Sequence, residues 1–496
     1  MTETLVTADR ILVGFGPDHT PDLREDAALL IRDGKVAAIG PAETLRRDHP
    51  DAERIGGSGQ VVIPGLINAH HHVGLTPFQL GVPDLPLELW IAARIGLREV
   101  APRLDTLFSA FEMIASGVTT VQHLHARAPG TPEGVLGRAD EILSAYAEIG
   151  MRVSYSFALR DQNRLVYAAD QDFVATLPEP LRAPTAEYLG AFALPLSDQV
   201  AIFDALRSRY AGDPMTAIQI GPSNLHWLSD AALESAAEMS GRTGAPMHIH
   251  LLETPYQVEY ARQRTGGSAV AHLDRFGLLG PQTTLGHAVW MTADDIALCA
   301  ERGVCLCHNC SSNLRLKSGT ADLNGFLASG VPVAMGIDEA GINDDRDMMQ
   351  EMRLVQTLHR PSGHSSPTPS AAQVLQMATE YGAATTPFAD RVGRLEVGCE
   401  ADLVLLDWAR LTYPWQDPAR PFAEVLVRRA RPEFVLQVLI GGRSVLKDGR
   451  FVNVDRDQIL DEIAASLGRS PQICEQSRVQ LAADLFPHVD KFYANW

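Results

Sequence analysis

The sequence predicts an α/β chain: a (β/α)8 TIM-type barrel carrying a small β-sandwich module built from both chain termini. Three observations predict it. Short apolar, β-like runs alternate with helical stretches through the middle of the chain. Strand-and-turn texture is found near both ends. The polar residues with chemical potential fall at the ends of the middle runs, where a barrel keeps its chemistry.

The elements follow in order. Residues 5–13 alternate loosely, and residues 27–31 meet 36–39 across Asp33-Gly34, a hairpin signal. Similar texture returns at 401–406, 435–440 and 443–446, with turns at Gly441-Gly442 and Asp448-Gly449. Two β-rich pieces at opposite ends of the chain suggest one sheet module, residues 1–63 together with 391–455. Between them, candidate strands at 66–72, 119–123, 152–157, 217–220, 247–251, 284–287, 304–308 and 331–337 are mostly separated by helical segments such as 104–116, 230–243 and 292–302. This places the barrel at 64–390. A doubly wound open sheet is the rival, but it usually opens with a Gly-rich turn after its first strand, which this sequence lacks. Residues 456–496 read as a helical tail.

With 496 residues the chain can bury one large core and a smaller module. A hydrophobic share of 46% against 21% charged residues is that of a globular protein, not a disordered one. The formal charge of −19 is spread along the chain, which argues against nucleic acid or an anionic membrane as partner. Residues 1–10 lack the pattern of a signal peptide, and no apolar run reaches the ~18 residues of a membrane span. Six cysteines are too few for a disulfide scaffold, so the expected compartment is the cytoplasm.

The first candidate strand ends in Asn68-Ala69-His70-His71-His72. Residues i and i+2 of a strand share a face, so His70 and His72 can both point inward as metal ligands, while His71 points away toward packing. The fifth gives His248-Ile249-His250-Leu251-Leu252-Glu253. His248 and His250 also share a face, and spacing alone does not choose between them, although His250 lies nearer the strand end. Glu253 falls where a carboxylate can move the proton of a metal-bound water; helix capping is its bland alternative. The sixth strand ends in Gly286-His287 and the eighth in Gly336-Ile337-Asp338. A carboxylate after an apolar run needs a cation or donors, and a metal supplies one. His287 reads as a ligand or as a donor orienting water or substrate. The run Cys305-x-Cys307-His308-Asn309-Cys310 is spaced too tightly for a usual four-ligand zinc site and reads as a buried strand with free thiols. His123 and His125 end the second strand, as substrate contacts or packing.

Residues 64–72, from Pro64-Gly65 to His70-His71-His72, resemble the opening metal motif of the amidohydrolase superfamily. His250-Leu251-Leu252-Glu253, Gly286-His287, the run from His308-Asn309 to Ser318-Gly319, and Gly336-Ile337-Asp338 with Asn343-Asp344 continue it in order. The chain is most similar to the branch of methylthioadenosine/S-adenosylhomocysteine deaminases and triazine hydrolases. The resemblance implies that His70, His72, His250 and Asp338 hold one divalent metal, zinc first and iron second. It implies that Glu253 shuttles protons, that His287 stands beside the metal, and that His308 and Asn309 face substrate. The implied reaction is hydrolytic deamination of a purine, pterin, pyrimidine or triazine-like ring. A dechlorinating or amide/ureide hydrolase with the same metal site, and a non-catalytic metal-bound scaffold, are the alternatives. Three departures stand out: Cys310 where relatives carry proline, the His123/His125 pair, and Gln79-Leu80-Gly81 in place of Leu-Arg-Gly. The missing arginine points to a compact free ring rather than a nucleoside, with His125 as a contact and Phe78, Trp90 or Trp290 as stacking partners. A homodimer is also expected.

Overall fold

The computed structural model describes residues 3–126, 130–364 and 367–496. Eight parallel strands carry the middle of the chain: β1 (Leu66–His71), β2 (Val118–His125), β3 (Arg152–Leu159), β4 (Thr216–Ile218), β5 (Met247–Leu251), β6 (Thr283–His287), β7 (Cys305–His308) and β8 (Val333–Met335). They form two curled parallel sheets, β1-β2-β3-β4 and β5-β6-β7-β8. Isolated parallel bridges link the two sheets on both sides, Ile220 to Met247 and His71 to Asp338. At the second, the Asp338 N–H donates to the His70 carbonyl at 2.8 Å.

The strands form here because their apolar residues are buried on both faces. Helices such as Pro102–Ala115 and Pro132–Ile149 cover the outside, and their buried faces join the same large core as Val121, Val153 and Leu285. Helix boundaries follow local chemistry. Thr292 caps Ala293–Arg302 through a reciprocal bond with Asp295, and Gly303 in the left-handed region ends it.

Strands from both termini join in one eight-stranded sheet. Asp33-Gly34 and Gly441-Gly442 each hold two successive positive φ values, the requirement of a two-residue hairpin turn that matches strand twist. The join is made by Glu53–Pro64, which pairs in parallel with Glu3–Phe15 and antiparallel with Leu403–Asp407. Helices Arg456–Gly468 and Ile473–Ala494 close the chain. No described helix is long and apolar enough to cross a membrane.

Candidate metal centre and active site

The histidines of β1 and β5 meet the β8 loop at the carboxyl ends of the strands. His70 Nε2 lies 3.0 Å from His72 Nε2, and His72 Nε2 lies 3.1 Å from His250 Nε2. Asp338 Oδ1 stands 3.2 Å from His72 Nε2 and 3.6 Å from His70 Nε2. The far nitrogens of these rings are committed elsewhere. His72 Nδ1 donates to the Leu124 carbonyl at 2.5 Å, and His250 Nδ1 to the Ser223 carbonyl at 2.8 Å. His70 Nδ1 faces His248 Nε2 at 2.9 Å. The two carbonyl partners assign the protons of His72 and His250 to Nδ1, so their Nε2 lone pairs face the His70 Nε2 beside a carboxylate oxygen. Burial lowers the pKa of His70 and His250 well below the ordinary range, so their rings are neutral. Converging lone pairs without a proton between them repel, and a divalent cation bound by nitrogen and oxygen relieves that repulsion. The donor set therefore fits a divalent metal.

The geometry also separates the two β5 histidines. His250 contributes its Nε2 to this cluster, whereas His248 buttresses His70 from behind. Glycines make the crowding possible: a Cβ at Gly286 would come within 3.0 Å of the His70 ring, and one at Gly336 within 2.4 Å of His70 Cβ.

His287 and Asp338 both leave their strands with positive φ, 69° and 63°. Such conformations cost about 1–3 kcal/mol each and persist only where surrounding contacts hold them. Asn313 Oδ1 accepts from His287 Nδ1 at 2.8 Å, and Asn309 Nδ2 donates to His287 Nε2 at 3.3 Å. Ser312 Oγ donates to Asp338 Oδ2 at 2.6 Å. Ser312 and Asn313 thus set the orientation of two candidate site residues; the motif run contains both, yet spacing attaches no role to them.

Glu253 Oε1 lies 3.7 Å from His287 Nδ1 and accepts from Ser318 Oγ at 3.3 Å. Burial, with the nearby charges of Asp338 and Glu88, raises its pKa well above the ordinary carboxyl range. A carboxyl group so placed can hold a proton and pass it on.

These groups border a cavity that opens to solvent. His72, His250, Glu253, His287 and Asp338 line it, with Trp90, Trp227 and His125 in its walls. His125 Nδ1 pairs with the Tyr155 hydroxyl at 2.8 Å. His123 is elsewhere, packed against His71 and bonded to the Tyr146 hydroxyl at 2.9 Å. His308 and Asn309 do not border the cavity: His308 Nε2 faces His359 Nε2 at 2.9 Å, and Asn309 serves His287. Phe78 and Trp290 are exposed and also lie outside the cavity wall, so Trp90 alone of the three stacking candidates borders it. The compact-ring expectation rested on a missing cation. The cavity in fact has two arginines in its wall, Arg94 paired with Glu339 at 2.8 Å and Arg160 over the Trp227 ring.

Residues 61–445 match the model of the amidohydrolase family, and residues 27–52 match the imidazolonepropionase-like composite domain of bacteria. The chain is 31% identical to a 5-methylthioadenosine/S-adenosylhomocysteine deaminase of Syntrophobacter fumaroxidans, over 92% of this chain and 97% of that one. Among solved structures, an adenosine deaminase from Xanthomonas campestris with bound zinc aligns at a TM-score of 0.77 and 24% identity, covering 97% of this chain and 99% of that one. A triazine hydrolase from Arthrobacter aurescens aligns at 0.80 and 22% identity, covering 95% and 100%. The chain belongs to the amidohydrolase family, with methylthioadenosine/S-adenosylhomocysteine deaminases among its relatives, and is a hydrolase acting on C–N bonds other than peptide bonds.

Proposed function

We propose that the chain is a metal-dependent hydrolytic deaminase that releases ammonia from an amino-substituted N-heterocycle. His70, His72, His250 and Asp338 hold one divalent metal, zinc first and iron second. The scaffold is a (β/α)8 barrel over 64–390, with a β-sandwich module from 1–63 and 391–455 and a helical tail over 456–496. The observation that carries the reading is the convergence of three histidine Nε2 atoms and a carboxylate oxygen beside buried Glu253, at the wall of the cavity.

A divalent metal in that position supplies Lewis acidity and brings the pKa of a bound water to about 7. The residues do the rest. Glu253 Oε1 takes a proton from the attacking water and passes it to a ring nitrogen. Asp338 Oδ2, held by Ser312, takes the second proton and delivers it to the leaving amine. His287, fixed by Asn309 and Asn313, stands beside the metal ligands, its Nε2 3.7 Å from Asp338 Oδ2. The ring carbon gains the water oxygen and loses its amino group, so ring C–NH2 and water give ring C=O and ammonia.

The two arginines of the cavity wall and the kinship with methylthioadenosine/S-adenosylhomocysteine deaminases favour an aminopurine that carries a sugar-type substituent. Trp90 stacks on the ring and His125 contacts the substrate. The protein works in the cytoplasm as a homodimer, which light scattering on the purified chain would check. The function is tested by assaying ammonia from adenosine, methylthioadenosine and S-adenosylhomocysteine against free aminopurines, aminopterins and aminotriazines, with and without chelation. Metal-dependent ammonia release, fastest from the nucleosides, is expected. Release of chloride or an amine instead would make the chain a dechlorinase or amide hydrolase, and a metal-loaded chain inert to the whole panel would be a scaffold.

A further inference from the structure

A second group of metal-binding side chains stands apart from the cavity. His308 ends β7, Cys310 opens the helix Cys310–Arg315, and His359 follows the helix Met348–Leu358. One ligand atom from each lies within 4.8 Å of the other two, and all three residues are buried. His308 and His359 face each other through Nε2 at 2.9 Å, within hydrogen-bond distance, which leaves the other ring nitrogens for an ion.

Two further observations point to a missing cation. Glu351 is buried, and Ser311 donates to its Oε1 through the backbone N–H at 2.9 Å and to its Oε2 through the hydroxyl. Among the described residues no cationic side chain pairs with it. His308 Nδ1 is buried without a hydrogen-bond partner. A thiol, two neutral imidazoles and an uncompensated carboxylate form a polar cluster inside the fold, which a soft divalent ion would satisfy.

We propose that His308, Cys310 and His359 form a second metal site, distinct from the cavity, that takes a zinc-class divalent ion through one thiolate and two imidazoles. Binding displaces the Cys310 proton to solvent, and water completes the fourth position. The site's role follows from what Cys310 begins. The helix Cys310–Arg315 carries Ser312 to Asp338 and Asn313 to His287, so an ion at its first residue braces the segment that orients both.

Cobalt(II) reconstitution of the full-length apoprotein tests this, because a thiolate ligand gives cobalt a near-ultraviolet charge-transfer band that an all-His/Asp site lacks. Two cobalt per chain and that band are expected. His250→Ala should lose one equivalent and keep the band, whereas Cys310→Ser and His359→Ala should each lose the other equivalent and the band. The two variants come from separate elements, so one misfolded protein does not decide the result. Cys307 lies near His70 and His248, and Cys307→Ala should leave the band intact. One cobalt per chain without a band, or a band that survives Cys310→Ser and vanishes in Cys307→Ala, would overturn the proposal.

Discussion

Two buried polar clusters occupy opposite ends of the parallel strands, and they differ in where their counter-charge comes from. At the amino end of β3, Arg152 is fully buried and donates to Asp402 through Nε at 2.8 Å and Nη2 at 3.0 Å. Its Nη1 donates to the Pro214 carbonyl at 2.6 Å, and Glu400 is shared with Arg391. Cation, anions and donors all come from the chain, and the cluster fastens the parallel strands to the terminal sheet just before Leu403–Asp407. At the carboxyl ends, His70, His72, His250 and Asp338 bring three ring nitrogens and a carboxylate oxygen together, with no Lys or Arg side chain paired to Asp338 among the described residues. A self-sufficient cluster supports the fold, and one that lacks a cation is built for something from outside.

The largest expected effect is at the incomplete cluster. His250→Ala should remove the catalytic-site metal and abolish turnover, while His248→Ala, which removes only the buttress of His70, should keep most of the metal. Elemental analysis beside ammonia assays reads both. The opposite pattern would exchange the roles assigned to the two β5 histidines.

Glu253→Gln comes next. It keeps shape and hydrogen bonding but cannot accept a proton, and general acid–base help is worth about 10²–10⁴-fold. Turnover should fall by that factor with metal content unchanged. A variant that lost its metal would instead make Glu253 a ligand.

At the self-sufficient cluster the loss should appear in stability rather than chemistry. Arg152→Met leaves Asp402 buried without its cation, a defect that typically costs 3–5 kcal/mol. Denaturant unfolding should show a loss of about that size, with the folded variant still binding its catalytic metal. Loss of metal from well-folded protein would erase the distinction between the clusters.

This contrast also explains what the sequence makes legible. Alternation alone places His70 and His72 on one face and His71 on the other, because strand geometry is local. The same rule cannot choose between His248 and His250, since the choice is made by His70 Nδ1 and the Ser223 carbonyl on other strands. His123 and His125 share a face, yet only His125 reaches the cavity, because it lies past the helix whose Tyr146 covers His123. The Arg152–Asp402 pair spans 250 positions and leaves no local pattern. His359 is likewise 51 positions from His308, so a spacing argument confined to residues 305–310 sees three thiols and one imidazole. The fold shows Cys305 and Cys307 in an apolar group with Ala69 and Ala334, and Cys310 beside two histidines. The hairpin turns were legible because the φ demands of Asp33-Gly34 and Gly441-Gly442 reside in the residues themselves. The long strand Glu53–Pro64 was not, since its glycine-rich first half carries little alternation.

The smallest expected effect concerns the wall between the clusters and solvent. His125 borders both the main cavity and a neighbouring one, together with Ala126, Ala158 and Arg160. It stands at the junction a substituted ring would cross, held by the Tyr155 hydroxyl and away from the metal cluster. A single hydrogen bond contributes about 0.5–1.5 kcal/mol, so His125→Ala should raise KM by up to about tenfold and leave metal content alone. How that loss divides among substrates locates the substituent. If His125 contacts the ring, free aminopurines and nucleosides suffer alike. If it contacts the substituent, only the nucleosides suffer, and the substituted product of the assay leaves through the same junction. The second outcome is expected from the position of His125 between the two cavities. Indifference of every substrate to the change would leave His125 as a packing residue and return specificity to Trp90 and the arginines of the main wall.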